Sequence, residues 1–305
     1  WNNLVAPLNE AGNRLERTWS PVSHMNAVVN TDELRKEYNA NLSRLSDYHT
    51  DLGQNEQLYN AIKAIREQEA GLDSAQIKNL DDSLLGFKLS GVTLPAEQKE
   101  RYREINQQLS QLNSRFSDNV LDATNAWVKQ ILQVEELAGL PESALEMAAQ
   151  MAKQRDMEGW VLTLQFPSYI AVMTYADKRE LRAELYRAYT TRASELGANS
   201  GWDNTEVMLD ILRLRQEEAS LLGYDNYAEL SLATKMAESP QHVLEFLQDL
   251  ARKAKPFAEK EFAEIQAFAH QQLGLEDLQA WDIAYVSEKM KQARFDFSEE
   301  DLKPY

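Results

Sequence analysis

The amino-acid sequence predicts a mainly α-helical protein, and three observations support this fold class. Glycine and proline, which interrupt helices, account for only 11 and 8 of the 305 residues. Through most of the chain, apolar residues recur at three- and four-residue spacing, which is typical of helices with one buried face. One segment, residues 160–166, alternates apolar and polar residues instead, so we expect one small β-element near residues 160–175.

We divide the chain into three regions, of which the first, residues 1–133, is predicted to be an N-terminal helical region. Its helices are predicted to pass through residues 34–52, 58–65, 77–87 and 102–127. The third ends near Gly91, and Pro95 marks the start of the fourth, because proline is favoured in the first turn of a helix. The fourth apolar stripe is long enough for a helix of about 30 residues or more.

The second region, residues 134–176, is predicted to be a small β-containing insertion. Gly139 and Pro141 mark a turn after the long helix. Residues 160–165 are predicted to form a strand. Ile170–Tyr175, which follows a proline, is predicted to be a second extended segment.

The third region, residues 177–305, is predicted to be helical again. Capping-box pairs, in which an Asp precedes a Glu by three residues, are expected to start its first two helices, and these pairs are Asp177–Glu180 and Asp203–Glu206. Ser239 and Pro240 mark the start of a third helix, as N-cap and first helical residue. Residues 257–273 are predicted to form one more helix, which ends at Gly274.

The chain is strongly acidic, with a formal net charge of −17 at pH 7. A nucleic-acid-binding protein would show a cluster of basic residues, and an anionic membrane surface would repel this charge, so we expect neither partner. No uninterrupted apolar run approaches the ~20 residues that span a bilayer. The chain has no cysteine, which excludes disulfides and thiol chemistry and fits a cytoplasmic protein.

The histidines do not predict a metal site. They are His24, His49, His242 and His270, and none lies in an H-E-x-x-H motif. Only His242 has an acidic residue, Glu245, at a spacing that places both on one face of a helix. Because a zinc site needs three or four ligands, we predict that this chain itself holds no metal and no other cofactor.

No motif for acid–base or nucleophilic catalysis is found either. The adjacent acidic residues Asp81–Asp82 and Glu217–Glu218 point in different directions on a helix, so they are interpreted as solvated helix faces. Asp118 and Asp122 lie one helical turn apart, but nothing else indicates a site there. G-x-S-x-G and glycine-rich phosphate loops are absent. We therefore assign no catalytic residue.

Aromatic residues are concentrated in less than a quarter of the chain. They are Trp160, Tyr169, Tyr175, Tyr186, Tyr189, Trp202, Tyr224 and Tyr227. Packing in a core is the default interpretation for most of them. The alternative is that some of the tyrosines line a groove that holds a peptide backbone.

Strings of residues along the whole chain resemble the thimet oligopeptidase and neurolysin family of zinc metallopeptidases. The resemblance is strongest in residues 160–305. The strings include S-P-V-S-H at 20–24, P-S-Y at 167–169, D-N-Y-A at 225–228, K-M-A at 235–237 and W-D at 281–282. None of these strings is catalytic.

The resemblance implies a multi-helix lobe of a neurolysin-like peptidase. In that family two helical lobes flank a deep channel, and zinc lies on the channel floor in the C-terminal part. The family's H-E-x-x-H helix would follow Tyr305, so this chain would form channel wall and its partner would be the missing C-terminal catalytic half. The parent would hydrolyse short peptides, including signal-peptide fragments, in the cytoplasm. We assign to the substrate channel Tyr169, Tyr189, Tyr227, Trp281 and Tyr285.

The alternative is a self-standing helical module that binds peptides or proteins without enzymatic activity. Trp1 in place of Met, and the uncapped end at Tyr305, favour a piece of a longer protein. In that case Trp281, Tyr285, Phe295 and Phe297 would face the missing half, and the isolated chain is expected to self-associate. If these aromatics pack within this lobe instead, self-association is not expected.

Overall fold

A computed structural model of the chain describes residues 1–68 and 71–296. Within these ranges it has 12 α-helices and one two-stranded antiparallel sheet, so the predicted mainly α fold class is confirmed. The chain forms two compact units. The first contains residues 1–118 and 205–245, and the second contains residues 119–204 and the described part of 246–305.

The helices and strands are numbered in their order along the chain. The helices are α1 (Val5–Val28), α2 (Asp32–Gly53), α3 (Glu56–Gln68), α4 (Ser74–Leu89), α5 (Ala96–Ala126), α6 (Glu142–Gln154), α7 (Phe166–Tyr175), α8 (Arg179–Thr190), α9 (Thr205–Leu221), α10 (Tyr227–Leu232), α11 (Pro240–Leu273) and α12 (Ile283–Phe295). The strands are β1 (Val128–Ile131) and β2 (Trp160–Thr163), and short 3-10 helices cover Val134–Leu137, Ser200–Trp202 and Ala280–Asp282.

The first unit has an apolar core where α1, α3 and α4 meet. Its buried members are Val5, Ile62, Leu80, Phe87 and Val92. Helix α4 begins at a capping box, because the Asp73 carboxylate accepts a hydrogen bond from the Gln76 amide at 2.8 Å and the Gln76 side chain accepts one from the Asp73 amide at 3.0 Å. The helices predicted through residues 34–52, 58–65 and 77–87 are therefore confirmed as α2, α3 and α4. Helix α1 was not predicted.

A second core of the first unit lies between α5 and α9. Ile105 and Leu109 of α5 pack against residues one turn apart on α9, and the buried members of that helix are Val207, Ile211 and Leu214. The guanidinium of Arg101 extends the same contact with an ion pair, in which its Nε lies 2.6 Å from Oε1 of Glu217. Helix α5 is 31 residues long, as the length of its apolar stripe predicted.

The second unit is built around the small sheet. Strands β1 and β2 are antiparallel, with Val128 opposite Thr163 and Ile131 opposite Trp160. One apolar core packs against the sheet and α6, α7 and α8, and its buried members are Ile131, Leu137, Leu140, Ala144, Ala148, Leu162, Val172, Met173, Ala176, Leu181 and Leu185. The strand predicted at residues 160–165 is confirmed, but its partner precedes residue 134 instead of following the strand.

The prediction that Ile170–Tyr175 is extended was wrong, because these residues form the second half of α7. Pro167 lies in the first turn of this helix, where a missing N–H has no cost. Val172 and Met173 are buried, and so is Ala176, which follows the helix at the same helical spacing. The segment is almost entirely apolar, so its periodicity did not distinguish a helix from a buried strand.

Both predicted Asp caps of the third region were misplaced. Helix α8 begins at Arg179 after Lys178, and no side chain caps it. The carboxylate of Asp177 instead accepts a hydrogen bond from the hydroxyl of Tyr285. Helix α9 begins at Thr205, and Asp203 ends the preceding 3-10 helix. For Asp177, a long-range partner thus engages the carboxylate that the local sequence favoured as a cap.

Ser239 does cap the next helix, since its hydroxyl accepts a hydrogen bond from the His242 amide at 3.1 Å. However, α11 continues without a break through residues 257–273, which were predicted to form a separate helix. Pro256 lies inside it, and residues 251–260 are all exposed. The carbonyl that loses its partner at this proline can therefore bind water, which lowers the cost of keeping the helix intact. No described helix is long and apolar enough to span a bilayer.

Candidate functional site

Two of the tyrosines assigned to the channel stack face to face in the second unit. The ring of Tyr169 on α7 lies 3.9 Å from the ring of Tyr189 on α8, at an interplanar angle of 12°. The guanidinium carbon of Arg192 lies 3.8 Å from the centre of the Tyr189 ring, so the two tyrosines and the arginine form one stacked group. Burial, assisted by the neighbouring tyrosines, raises the pKa of Tyr169 above its usual range, so its hydroxyl is protonated at neutral pH.

Trp281 packs on the same core as this stack. Its ring centre lies 5.9 Å from that of Tyr186, and both residues, like Tyr169, contact the core of the second unit. The indole Nε1 of Trp281 is buried and has no hydrogen-bond partner among the described residues. An unpaired buried donor of this kind costs free energy, so it marks a position where a further acceptor would stabilise the protein.

The short 3-10 helix that contains Trp281 is held to α8 by a buried ion pair. Asp282 and Arg182 are 0% and 1% exposed, and their Oδ1 and Nη2 atoms lie 2.7 Å apart. Arg179 donates to the other carboxylate oxygen at 2.7 Å. Arg182 also donates hydrogen bonds to main-chain carbonyls. Its Nη1 lies 2.6 Å from the carbonyl oxygen of Ala176, and its Nε lies 3.3 Å from that of Trp281. Both charges are thereby satisfied without water.

The pKa of Asp282 reflects two opposing effects. Burial alone would raise the pKa, because it disfavours the charged carboxylate. The hydrogen bonds from Arg179 and Arg182, together with one from the Gln279 amide, outweigh burial and lower the pKa below its usual range. Asp282 is therefore ionised at neutral pH, and its charge is part of the folded structure.

Tyr285 lies beside this ion pair. Its hydroxyl donates to Oδ1 of Asp177 at 2.8 Å, and its ring faces the guanidinium of Arg182 at 4.0 Å. The ammonium of Lys289 lies 5.2 Å from the same ring. Burial, followed by the hydrogen bond to the Asp177 carboxylate, raises the pKa of Tyr285 to about 12. This tyrosine is therefore fixed in position as a neutral hydrogen-bond donor.

The structure thus brings four of the five assigned aromatics into one unit and places the fifth elsewhere. Tyr169, Tyr189, Trp281 and Tyr285 belong to the second unit, whereas Tyr227 belongs to the first. The ring of Tyr227 lies 4.9 Å from the guanidinium of Arg215 on α9. Whether any of the five contacts substrate stays a prediction.

The aromatic residues near the C-terminus do not share one environment. Trp281 and Tyr285 pack within the second unit, as the alternative interpretation predicts. Phe295, at the end of α12, is 72% exposed. Phe297 lies outside the described residues. The prediction of self-association consequently depends on fewer residues than the sequence indicated.

The described residues do not fit a zinc site. Across residues 1–68 and 71–296, no group of three His, Cys, Asp or Glu side chains is arranged to hold a metal ion. Most of the acidic residues considered above form ion pairs or are solvated. Asp81 pairs with Arg66 at 2.6 Å, and Asp118 lies 3.6 Å from Arg35. Glu218 differs, because burial raises its pKa above the usual range.

Comparison with known proteins identifies the family. Residues 172–305 match the family described as "Peptidase family M3", and residues 1–99 match "Neurolysin/Thimet oligopeptidase, N-terminal domain". The whole chain is 53% identical over 308 aligned positions to oligopeptidase A of Salmonella typhimurium strain LT2 and covers 45% of that protein. Residues 172–305 thus belong to peptidase family M3, and residues 1–99 to the N-terminal domain described for neurolysin and thimet oligopeptidase.

More distant relatives also align over the whole of this chain. A probable cytosolic oligopeptidase A of Arabidopsis thaliana is 38% identical, and 44% of its length is covered. The dipeptidyl carboxypeptidase of Escherichia coli strain K12 is 29% identical, and 45% of its length is covered. The chain therefore spans somewhat less than half the length of these relatives.

The sequence did not reveal the ion pair between Arg182 and Asp282. Arg182 adjoins Leu181, but an arginine beside an apolar residue on a helix is normally solvated. Asp282 was noted only as part of the W-D string that resembles the family. The signal that the sequence offered was this string.

We predict that replacing Asp282 by Asn destabilises the second unit by about 3–5 kcal/mol, because the buried guanidinium of Arg182 then lacks its counter-charge. The measurement is urea unfolding followed by circular dichroism. Glu195→Gln, which removes an exposed carboxylate of the same unit, is the matched control and is expected to change the unfolding midpoint little. Equal effects of both substitutions would contradict the assigned role of Asp282.

The pH dependence of stability should follow the same carboxylate. The folded-state pKa of Asp282 is lowered, so its contribution is present above the unfolded-state value of about 3.9 and is lost as pH falls through the folded value. The difference in unfolding free energy between the unmodified chain and Asp282→Asn should therefore be constant near neutral pH and shrink below about pH 4. A difference that grows on acidification would exclude this mechanism.

Proposed function

We propose that this chain is the non-catalytic, channel-wall portion of a zinc-dependent oligopeptidase that hydrolyses short peptides, including signal-peptide fragments. One observation supports this most directly. The chain is 53% identical over its whole length to oligopeptidase A, yet its sequence contains no H-E-x-x-H motif. A zinc peptidase needs metal ligands and a base to activate water, so these groups must come from outside this chain.

The proposed channel residues are Tyr169, Tyr189, Tyr227, Trp281 and Tyr285. Their chemistry suits peptides, because aromatic rings offer apolar surface and tyrosine hydroxyls can donate hydrogen bonds to carbonyls. The stack of Tyr169 on Tyr189 and the hydrogen bond of Tyr285 to Asp177 hold these groups in fixed positions. Fixed side chains lose less conformational entropy when a ligand binds.

The remaining parts of the proposal concern organisation and location. The zinc would be bound by the catalytic half, which is the proposed partner of this chain. We retain the division into residues 1–133, 134–176 and 177–305 as a proposal about regions of the parent. A cytoplasmic location is proposed because the chain lacks cysteine.

We predict that the 305-residue chain alone does not cleave peptides, whereas the protein encoded by the complete reading frame does. The assay is hydrolysis of an internally quenched fluorogenic peptide, with and without 1,10-phenanthroline. Chelator-sensitive turnover is expected only for the complete protein, because the metal ligands are supplied by its other part. Zinc-dependent turnover by the isolated chain would refute the proposal. A reading frame without H-E-x-x-H would favour the peptide- or protein-binding module instead.

A second prediction tests the channel residues in the complete protein. Tyr189→Ala removes the stacked ring and should raise KM for a short peptide about three- to tenfold, with a smaller effect on kcat. Tyr189→Phe keeps the ring and should retain the unmodified KM. Tyr48→Ala, at an exposed tyrosine that is not assigned to the channel, is the matched control. If Tyr189→Ala and Tyr48→Ala leave KM equally unchanged, Tyr189 does not contact substrate.

A further inference from the structure

A pocket of about 460 Å³ opens in the second unit, and none of the five proposed channel aromatics lines it. It lies between the last turns of α5, the start of β1, one face of α8 and the loop of residues 191–202. A volume of a few hundred Å³ is that of sites for small organic molecules. The pocket is therefore a candidate binding site that is separate from the proposed channel.

The walls of this pocket are largely apolar. Trp127 and Trp202 contribute indole rings, and Leu164, which is 2% exposed, lies among the lining residues together with several alanines. Both tryptophans are only half-buried, so part of each ring remains accessible to a ligand. Such walls gain free energy by burying an apolar or aromatic group.

The polar groups of the pocket are mainly cationic. Glu184 and Arg187 lie on the pocket face of α8, and Thr191 follows the last residue of this helix. Glu184, the only carboxylate among the lining residues, is neutralised by Lys129, whose ammonium lies 2.6 Å from its Oε2. The guanidinium of Arg187 makes no hydrogen bond or ion pair within residues 1–68 and 71–296. The positive charge of Arg187 is thus available to a ligand.

Arg192 provides a second unsatisfied donor at the pocket. Its guanidinium stacks on Tyr189 and donates through Nη1 to the Tyr189 carbonyl. Its Nε is buried and has no acceptor among the described residues. The side chain therefore adds positive charge to the pocket wall, although its buried Nε is not open to a ligand.

The loop that closes the pocket is held in one conformation. Ala193 has a φ of 52°, a left-handed value that is unfavourable for alanine. The carbonyl of Ala193 accepts a hydrogen bond from the backbone amide of Asn204 at 3.1 Å. The side-chain oxygen of Asn204 in turn accepts a hydrogen bond from the side-chain amide of Asn119 at 2.8 Å. At Gly197 a Cβ would lie 3.0 Å from the Ser194 carbonyl oxygen, so a side chain would crowd this turn. Strain maintained by buried hydrogen bonds is frequent at binding sites.

We propose that this pocket binds a small carboxylate with an apolar or aromatic body. The carboxylate is bound by Arg187 at the mouth, and the body lies against Trp127 and Trp202. A dianionic phosphate fits less well, because the walls are apolar and Glu184 is close by. Two sources present this chemistry: the C-terminal residue of a peptide, and a free aromatic acid.

The test is isothermal titration calorimetry of the 305-residue chain with N-acetyl-L-phenylalanine and with its neutral amide. The acid is expected to bind at least about tenfold more tightly than the amide, since a hydrogen bond between two charged groups is stronger than one to a neutral amide. Arg187→Gln should abolish this preference. Arg252→Gln, at another exposed arginine of the same unit, is the matched control and should retain it.

Two further probes distinguish the sources. N-acetyl-glycyl-L-phenylalanine represents a peptide C-terminus, and 3-phenylpropionate represents a free aromatic acid. Binding of the first alone identifies a peptide terminus, and comparable binding of both identifies the carboxylate and ring as the recognised groups. The proposal is overturned if acid and amide bind equally, if Arg187→Gln keeps the preference while its unfolding temperature is unchanged, or if no probe binds at about 10 mM.

Discussion

The buried ion pair between Arg182 and Asp282 is the interaction on which the arrangement of the second unit depends. It joins α8 to a segment 100 residues further along the chain, and both side chains are almost completely buried. Two charges removed from water are tolerated only when every donor and acceptor is satisfied. Here Arg179 and the carbonyls of Ala176 and Trp281 complete that set. The pair therefore fixes geometry as much as it contributes free energy.

Two aromatic residues of the candidate channel, Trp281 and Tyr285, take their positions from this pair. Trp281 precedes Asp282 directly, and the ring of Tyr285 lies against the guanidinium of Arg182. The opposite face of the same helix, α8, presents Arg187 to the pocket. A substitution at Asp282 would thus affect both the candidate channel and the pocket through α8, although the Asp282 carboxylate belongs to neither. For this reason a structural residue can affect ligand binding without contacting any ligand.

The sequence predicted those features that local chemistry determines, and it failed where distant residues decide. The cap at Ser239 and the long α5 helix depend on residues within a few positions, and both were predicted correctly. The segment 170–175 was assigned wrongly because it lacks polar residues that would reveal a period. Asp177 has the sequence of a cap, but Tyr285, 108 residues away, engages its carboxylate. The channel aromatics could be named from the sequence, whereas their cationic partners could not, since those partners lie on different elements.

The distribution of charge connects these observations to binding. The chain has a net charge of −17, so most of its surface repels carboxylates. In the second unit, however, the guanidinium of Arg192 lies against the ring of Tyr189, and Arg187 lies free beside an apolar pocket. Cations that stack on rings remain available to anions at their edges, because stacking uses the face of the guanidinium and leaves in-plane N–H groups. An acidic protein with local cationic sites of this kind attracts carboxylates only at those sites, and this selects where the carboxyl end of a ligand is placed.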